Sequence, residues 1–131
     1  MLGCALSVVF NCILGAVWYS GKVPTGRLWM RRVYPGKSES DISKESGFAM
    51  AFSIIASIIL SLLLRFILID FFKSSSLIDG VKFGVGLSCL TTLLEAPHVL
   101  FGKGYFDVFL IHQVYNLLTV AVGAVCIVYF N

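Results

Sequence analysis

Glu95, His98 and His112 lie inside the last two long apolar stretches of the chain. An ionised side chain is costly there, so such groups handle protons, bind metal or pair with one another. Glu95 and His98 stand three residues apart and share one helical face. Pro97 between them lacks an amide donor and crowds the carbonyl of Leu93, which predicts a kink at that level. Glu95 is about six residues inside the end near 101, roughly 9 Å deep at 1.5 Å per residue. Counted outward from the Gly102-Lys103-Gly104 turn, His112 falls at the same depth on the next stretch. Thr91 matches Asn116 in the same way, Ser88 matches Thr119, and Gly84 matches Gly123. The members on each stretch are three or four apart and lie on one face. The spacing predicts an antiparallel helical hairpin with a buried polar seam of Glu95, His112, Thr91 and Asn116, flanked by His98. That seam is either a proton-binding site or a hydrogen-bonded pair that fixes helix register, and the balance leans to the structural side.

Other chemistries fit less well. Glu95-x-x-His98 is half of a di-iron carboxylate set, but no second Glu-x-x-His exists. A bis-histidine haem needs two His at one height, whereas His98 and His112 are offset by about three residues, or 4–5 Å. Cys4, Cys12, Cys89 and Cys126 sit apart in apolar segments without a C-x-x-C, as small core- or lipid-facing residues do. Arg65 continues a Ser53-Ser57-Ser61 stripe and is expected to snorkel toward Asp70. No nucleophile elbow, phosphate-binding loop, zincin motif or dinucleotide fingerprint is present. We expect no cofactor, no metal and no enzymatic activity.

The elements that position these residues follow from hydropathy. With 58% hydrophobic and 13% charged residues among 131, and a mean hydropathy of +0.92, the chain is too apolar for an ordinary soluble domain. Four apolar segments, about 2–19, 48–72, 81–101 and 106–130, meet the roughly 20 residues needed to cross a bilayer, the first only just. The first has no basic residue before Lys22 and no small-residue cleavage site, so it reads as a retained helix and not a signal peptide. The expected fold is therefore all-α, a single polytopic membrane domain over 1–131.

Charge sets the orientation. Lys22, Arg27, Arg31, Arg32, Lys37 and Lys44 all lie in the 20–47 loop. Beside membrane spans such a cluster marks the untranslocated side better than it marks nucleic-acid binding. The loop and Lys103 then face the cytoplasm, or the matrix if the membrane is the mitochondrial inner one, and both termini face the opposite side. Within the loop, Thr25 is expected to cap a short interfacial helix whose Trp29 lies beside Trp18 and Tyr19, with Arg31 and Arg32 reaching to head groups. The Gly/Ser-rich stretch 35–46 reads as a flexible return.

Small residues recur every four positions: Gly3, Ser7, Asn11 and Gly15; Ala49, Ser53, Ser57 and Ser61; Gly80, Gly84 and Ser88. Close helix approach in lipid depends on such faces, so four spans plus the interfacial helix are expected to form a compact bundle. Phe52, Ile55, Ile59 and Leu63 are left for lipid or a partner.

The run Asn11-x-x-x-Gly15-x-x-Trp18-Tyr19-Ser20, followed by Gly26-Arg27-x-Trp29-Met30, resembles a family of small four-span membrane proteins known only as a domain of unknown function. Its members end helix one in Gly-x-x-Trp-Tyr-Ser, followed by a short Gly-Lys-x-Trp segment and three spans. This chain departs from them at Gly21, where Pro is usual, and at Thr25-Gly26-Arg27, where Phe-Gly-Lys is usual. The resemblance implies the topology and carries no reaction. The expectation is a non-enzymatic accessory or structural subunit that packs against lipid and other membrane proteins. A small proton-coupled transporter or channel using Glu95 and His112 is the alternative.

Overall fold

The computed structural model describes residues 1–102 and 104–131; Lys103, the expected centre of the hairpin turn, lies outside them. Among the described residues there are no strands and six α-helices: α1 (Leu2–Trp18), α2 (Pro24–Val33), α3 (Glu39–Glu45), α4 (Gly47–Arg65), α5 (Leu77–Phe101) and α6 (Phe106–Tyr129). A π-helical turn, Phe66–Phe71, extends α4.

Local chemistry accounts for most of the boundaries. Pro24 opens α2, where its fixed φ suits the first turn and its missing N–H costs nothing. Val23 occupies the N-cap position of α2, without a side-chain capping bond. Thr25, expected in that role, instead donates from Oγ1 to the Trp18 carbonyl at 2.8 Å and ties α2 to α1. Ser38 and Asp41 form a reciprocal capping box that starts α3. The stretch expected to be a flexible return therefore holds a helix, with Ile42 buried. Ser46 ends α3 and begins α4, so the two are joined without slack. Ser76 accepts from the Ile78 N–H to start α5, which is a single helix through Pro97.

Three helices are long and apolar enough to cross a membrane: Gly47–Phe71, Leu77–Phe101 and Phe106–Tyr129. The expectation was four. The shortfall is α1, which is apolar but only 17 residues long.

The packing is less symmetrical than expected. α6 is the axis: α5 lies along one side of it and α1 along another. Its buried residues, including Phe109, Ile111, Val120, Ala124, Ile127 and Val128, occupy more than one face, as a helix surrounded by others must. α4 joins only through its C-terminal half, where Ser61 and Leu64 are buried with Leu68 just beyond. Cys4, Leu64, Val120 and Ile127 form the main core cluster. The N-terminal half of α4 stands apart, with Phe48 85% and Phe52 62% exposed. The small-residue stripe there offers a close-packing face, on which Ala49 and Ser53 are exposed.

Candidate functional site

The aromatic and polar residues at the loop end converge on the junction of α1, α2 and α6. Trp18 donates its indole N–H to the Ile111 carbonyl at 3.2 Å. Tyr19, the next residue, hydrogen-bonds His112 Nδ1 through its hydroxyl at 2.6 Å. The Tyr19 ring meets Trp29 edge-on at 5.0 Å and Tyr115 at 5.3 Å, and Trp29 meets Tyr34 at 5.4 Å. Two glycines permit the arrangement. A Cβ on Gly15 would sit 3.1 Å from the Tyr115 hydroxyl, and one on Gly26 only 2.0 Å from the Ser20 carbonyl oxygen. Gly15, Trp18, Tyr19, Gly26 and Trp29 thus serve one purpose, docking α2 across the end of α1 and against α6. Arg32 fastens the far end of α2 with an ion pair to Asp107 at 3.0 Å, and its guanidinium lies over the Tyr105 ring. Arg31 is exposed.

The expected Glu95–His112 bond does not form. Glu95 Oε2 accepts from the Gln113 amide at 2.6 Å, and Thr92 donates to the same Gln113 through its carbonyl at 2.8 Å. His112, bonded to Tyr19, belongs to the α1 interface. The expected Thr91–Asn116 contact has no hydrogen bond either; Thr91 bonds the Ser88 carbonyl within its own helix. Nor is the seam buried throughout: Glu95 and His98 are exposed, while Thr91, His112 and Asn116 are partly covered.

The cause is rotation about the helix axis. Counting from the turn gives depth along each helix, but successive residues differ by about 100° around it. Gln113 faces α5, and His112, one position back, faces α1. Closer to the termini, Gly84 packs on Ala121 in place of Gly123. The polar stripe of α6 instead faces the small-residue stripe of α1. Gly3 lies against Cys126 and Ile127, and Gly123 against Ser7. Ser7 accepts in turn from Ser61 at 3.0 Å. Asn11 and Thr119 fall between these levels, both buried, their side-chain polar atoms without protein partners.

Gln113, Thr92, Tyr115 and Asp107 therefore belong to the site although sequence reasoning did not single them out. Gln113 and Thr92 lay one position from residues that it did. Arg65 reaches Asp70 at 3.5 Å as expected. Among the described residues no three His, Cys, Asp or Glu side chains come together as a metal set.

No curated protein and no solved structure matches the chain. A family model does match, over residues 2–128, under the description protein of unknown function, DUF1761. The docking of α2 onto α1 and α6 and the axial place of α6 are thus structural properties of one member of a family defined by its sequence, and this chain belongs to that family, DUF1761.

Proposed function

We propose that the chain is a non-enzymatic four-span membrane protein, an accessory subunit whose loop-end half is completed by a partner. The carrying observation is Glu95. It lies roughly 9 Å from the end of α5, yet it is exposed on the described chain, with one oxygen held by Gln113. Intramembrane carboxyl groups face a bundle interior or a wet cavity. Glu95 would meet that condition once a second protein covers it. The uncovered half of α4, from Phe48 to Ile59, lies at the same end of the molecule. In this reading α1 is the fourth span, extended at its loop end by Tyr19, and the basic loop occupies the cytoplasmic or matrix side.

The proton-carrier reading requires exchange between Glu95 and His112. Each is bonded elsewhere, to Gln113 and Tyr19, which favours structural use of both.

Crosslinking in the native membrane, followed by purification, tests the proposal. The chain should copurify at a fixed ratio with a larger membrane complex, and Glu95→Leu should weaken that association more than Glu95→Gln. Recovery of the chain alone under mild crosslinking, with reconstituted protein that moves protons, overturns it. Single-cysteine variants at Ser40 and Ser75 test the topology, because four spans require labelling from opposite faces.

A further inference from the structure

Where α2 turns toward α3, a cleft of about 190 Å³ opens on the outer side of α2, lined by Arg27, Met30, Arg31, Tyr34, Lys37 and Glu39. Arg27 and Arg31 are one helical turn apart and point the same way. Lys37 enters from the other side, after a turn at Gly36, whose φ of +79° is a left-handed conformation that favours glycine. Three cations thus meet one carboxylate, Glu39, which also approaches Gly21. Lys37 is already partnered by Glu45 and lies over the Tyr34 ring. Among the described residues Arg27 and Arg31 have no carboxylate within ion-pair distance, whereas neighbouring Arg32 is taken by Asp107. Two unpaired guanidinium groups on one face make a forked donor set suited to phosphate oxygens. The cleft is smaller than the roughly 300–1,000 Å³ of organic-ligand pockets, a size that suits a phosphate group and not a whole cofactor.

We propose that this cleft binds the phosphodiester of an anionic phospholipid, with Arg27 and Arg31 as the principal contacts and Lys37 as the third cation. The lipid source follows from position. The opposite face of α2 carries Trp29 against Tyr19 beside Trp18, the aromatic level found at head groups. Exposed Leu28 and Val33 on the same helix adjoin acyl chains. The inference rests on the bilayer placement, which the cysteine labelling above tests separately.

The test is native mass spectrometry of the full chain in neutral detergent, titrated with phosphatidylglycerol, phosphatidylcholine or inorganic phosphate. Wild type should retain one phosphatidylglycerol in preference to phosphatidylcholine, and inorganic phosphate at equal concentration should not displace it. Arg27→Gln with Arg31→Gln should lower that preference by about 5–30-fold. Lys44→Gln, an exposed cation of the same loop outside the cleft, should leave it unchanged, and Arg27→Lys with Arg31→Lys should fall between, keeping charge but losing the fork. Undiminished preference in the double Gln variant, or equal loss in Lys44→Gln, refutes the site. Displacement by inorganic phosphate refutes the lipid as its occupant.

Discussion

Adding one methyl group at Gly26 should undock α2 while sparing the bundle. The Cβ of Gly26→Ala would lie 2.0 Å from the Ser20 carbonyl oxygen, 2.6 Å from the Tyr19 carbonyl carbon and 2.7 Å from that of Ser20. All three are backbone atoms at the end of α1, so no side-chain rotation relieves the contact. Restoring an ordinary separation of about 3.4 Å needs α2 to retreat by roughly 1.4 Å. At that displacement the 2.8 Å bond from Thr25 to the Trp18 carbonyl is broken, and the Tyr19–Trp29 contact loosens. Overpacking of this kind costs about 1–3 kcal/mol, and a lost hydrogen bond adds about 1 kcal/mol. Arg27, Arg31 and Arg32 place tryptic sites within the undocked segment. Where cleavage reports the open population, the combined 2–4 kcal/mol raises the initial rate by about 30–800-fold. The assay is limited trypsinolysis of the detergent-solubilised protein, with Gly86→Ala as control, since a Cβ there meets nothing within 4 Å. A Gly26→Ala rate within twofold of wild type, with the near-ultraviolet signal of the two tryptophans unchanged, would refute the argument that a glycine is required at this crossing.

Three further outcomes follow from the same geometry. Tyr19→Phe removes the bond to His112 Nδ1 and should cost about 1–3 kcal/mol in chemical unfolding; a change below 0.5 kcal/mol, on the order of measurement error, contradicts the role given to that hydroxyl. His112→Leu and Glu95→Leu should be additive to within about 0.5 kcal/mol, because the two side chains have different partners; a larger coupling energy restores the direct pair. The hydrogen bond from Ser38 holds the Asp41 carboxyl below the usual aspartate range. A depressed folded pKa stabilises above the unfolded value near 4 and ceases to do so as pH falls through the folded one. The protection of the α3 amides, measured relative to their intrinsic exchange rates, should therefore be constant near neutral pH and decline only on acidification below about 4, whereas Asp41→Asn should abolish the transition.

What was legible in the chain is what periodicity and capping encode. Counting the π-helical turn Phe66–Phe71 with α4, the ends of the four apolar helices lie within about four residues of where hydropathy set them. Depth along α5 and α6 was also readable, since Thr92 and Glu95 do flank the level of Gln113. The angular facing was not, because an antiparallel count treats both helices as lines, and the polar face of α6 could match α5 or α1 equally well. The α1 stripe from Gly3 to Gly15 is the half of that match that hydropathy alone cannot orient. Helix α3 was missed for a different reason: Gly36 and the serines suggested flexibility, while Ser38 and Asp41, three apart, carry the capping signal. The separation of the N-terminal half of α4 from the bundle has no local signature at all. Small residues say that a helix can be approached closely, and not that anything in the same chain does so.

The axial place of α6 has a consequence for biosynthesis. α1 and α4 can meet early, through the Ser7–Ser61 bond, but α5 rests chiefly on α6. α6 comes after the other three in chain order, so the scaffold on which they settle is synthesised last. At roughly 5–20 residues per second, α1 waits on the order of 5–20 s before the surface for Gly3, Ser7 and Trp18 exists. During that interval the polar groups on α1 and α5 must be sheltered by a chaperone or by one another. Ribosome pausing before residue 106 should prolong this exposure and mark the intermediate for degradation.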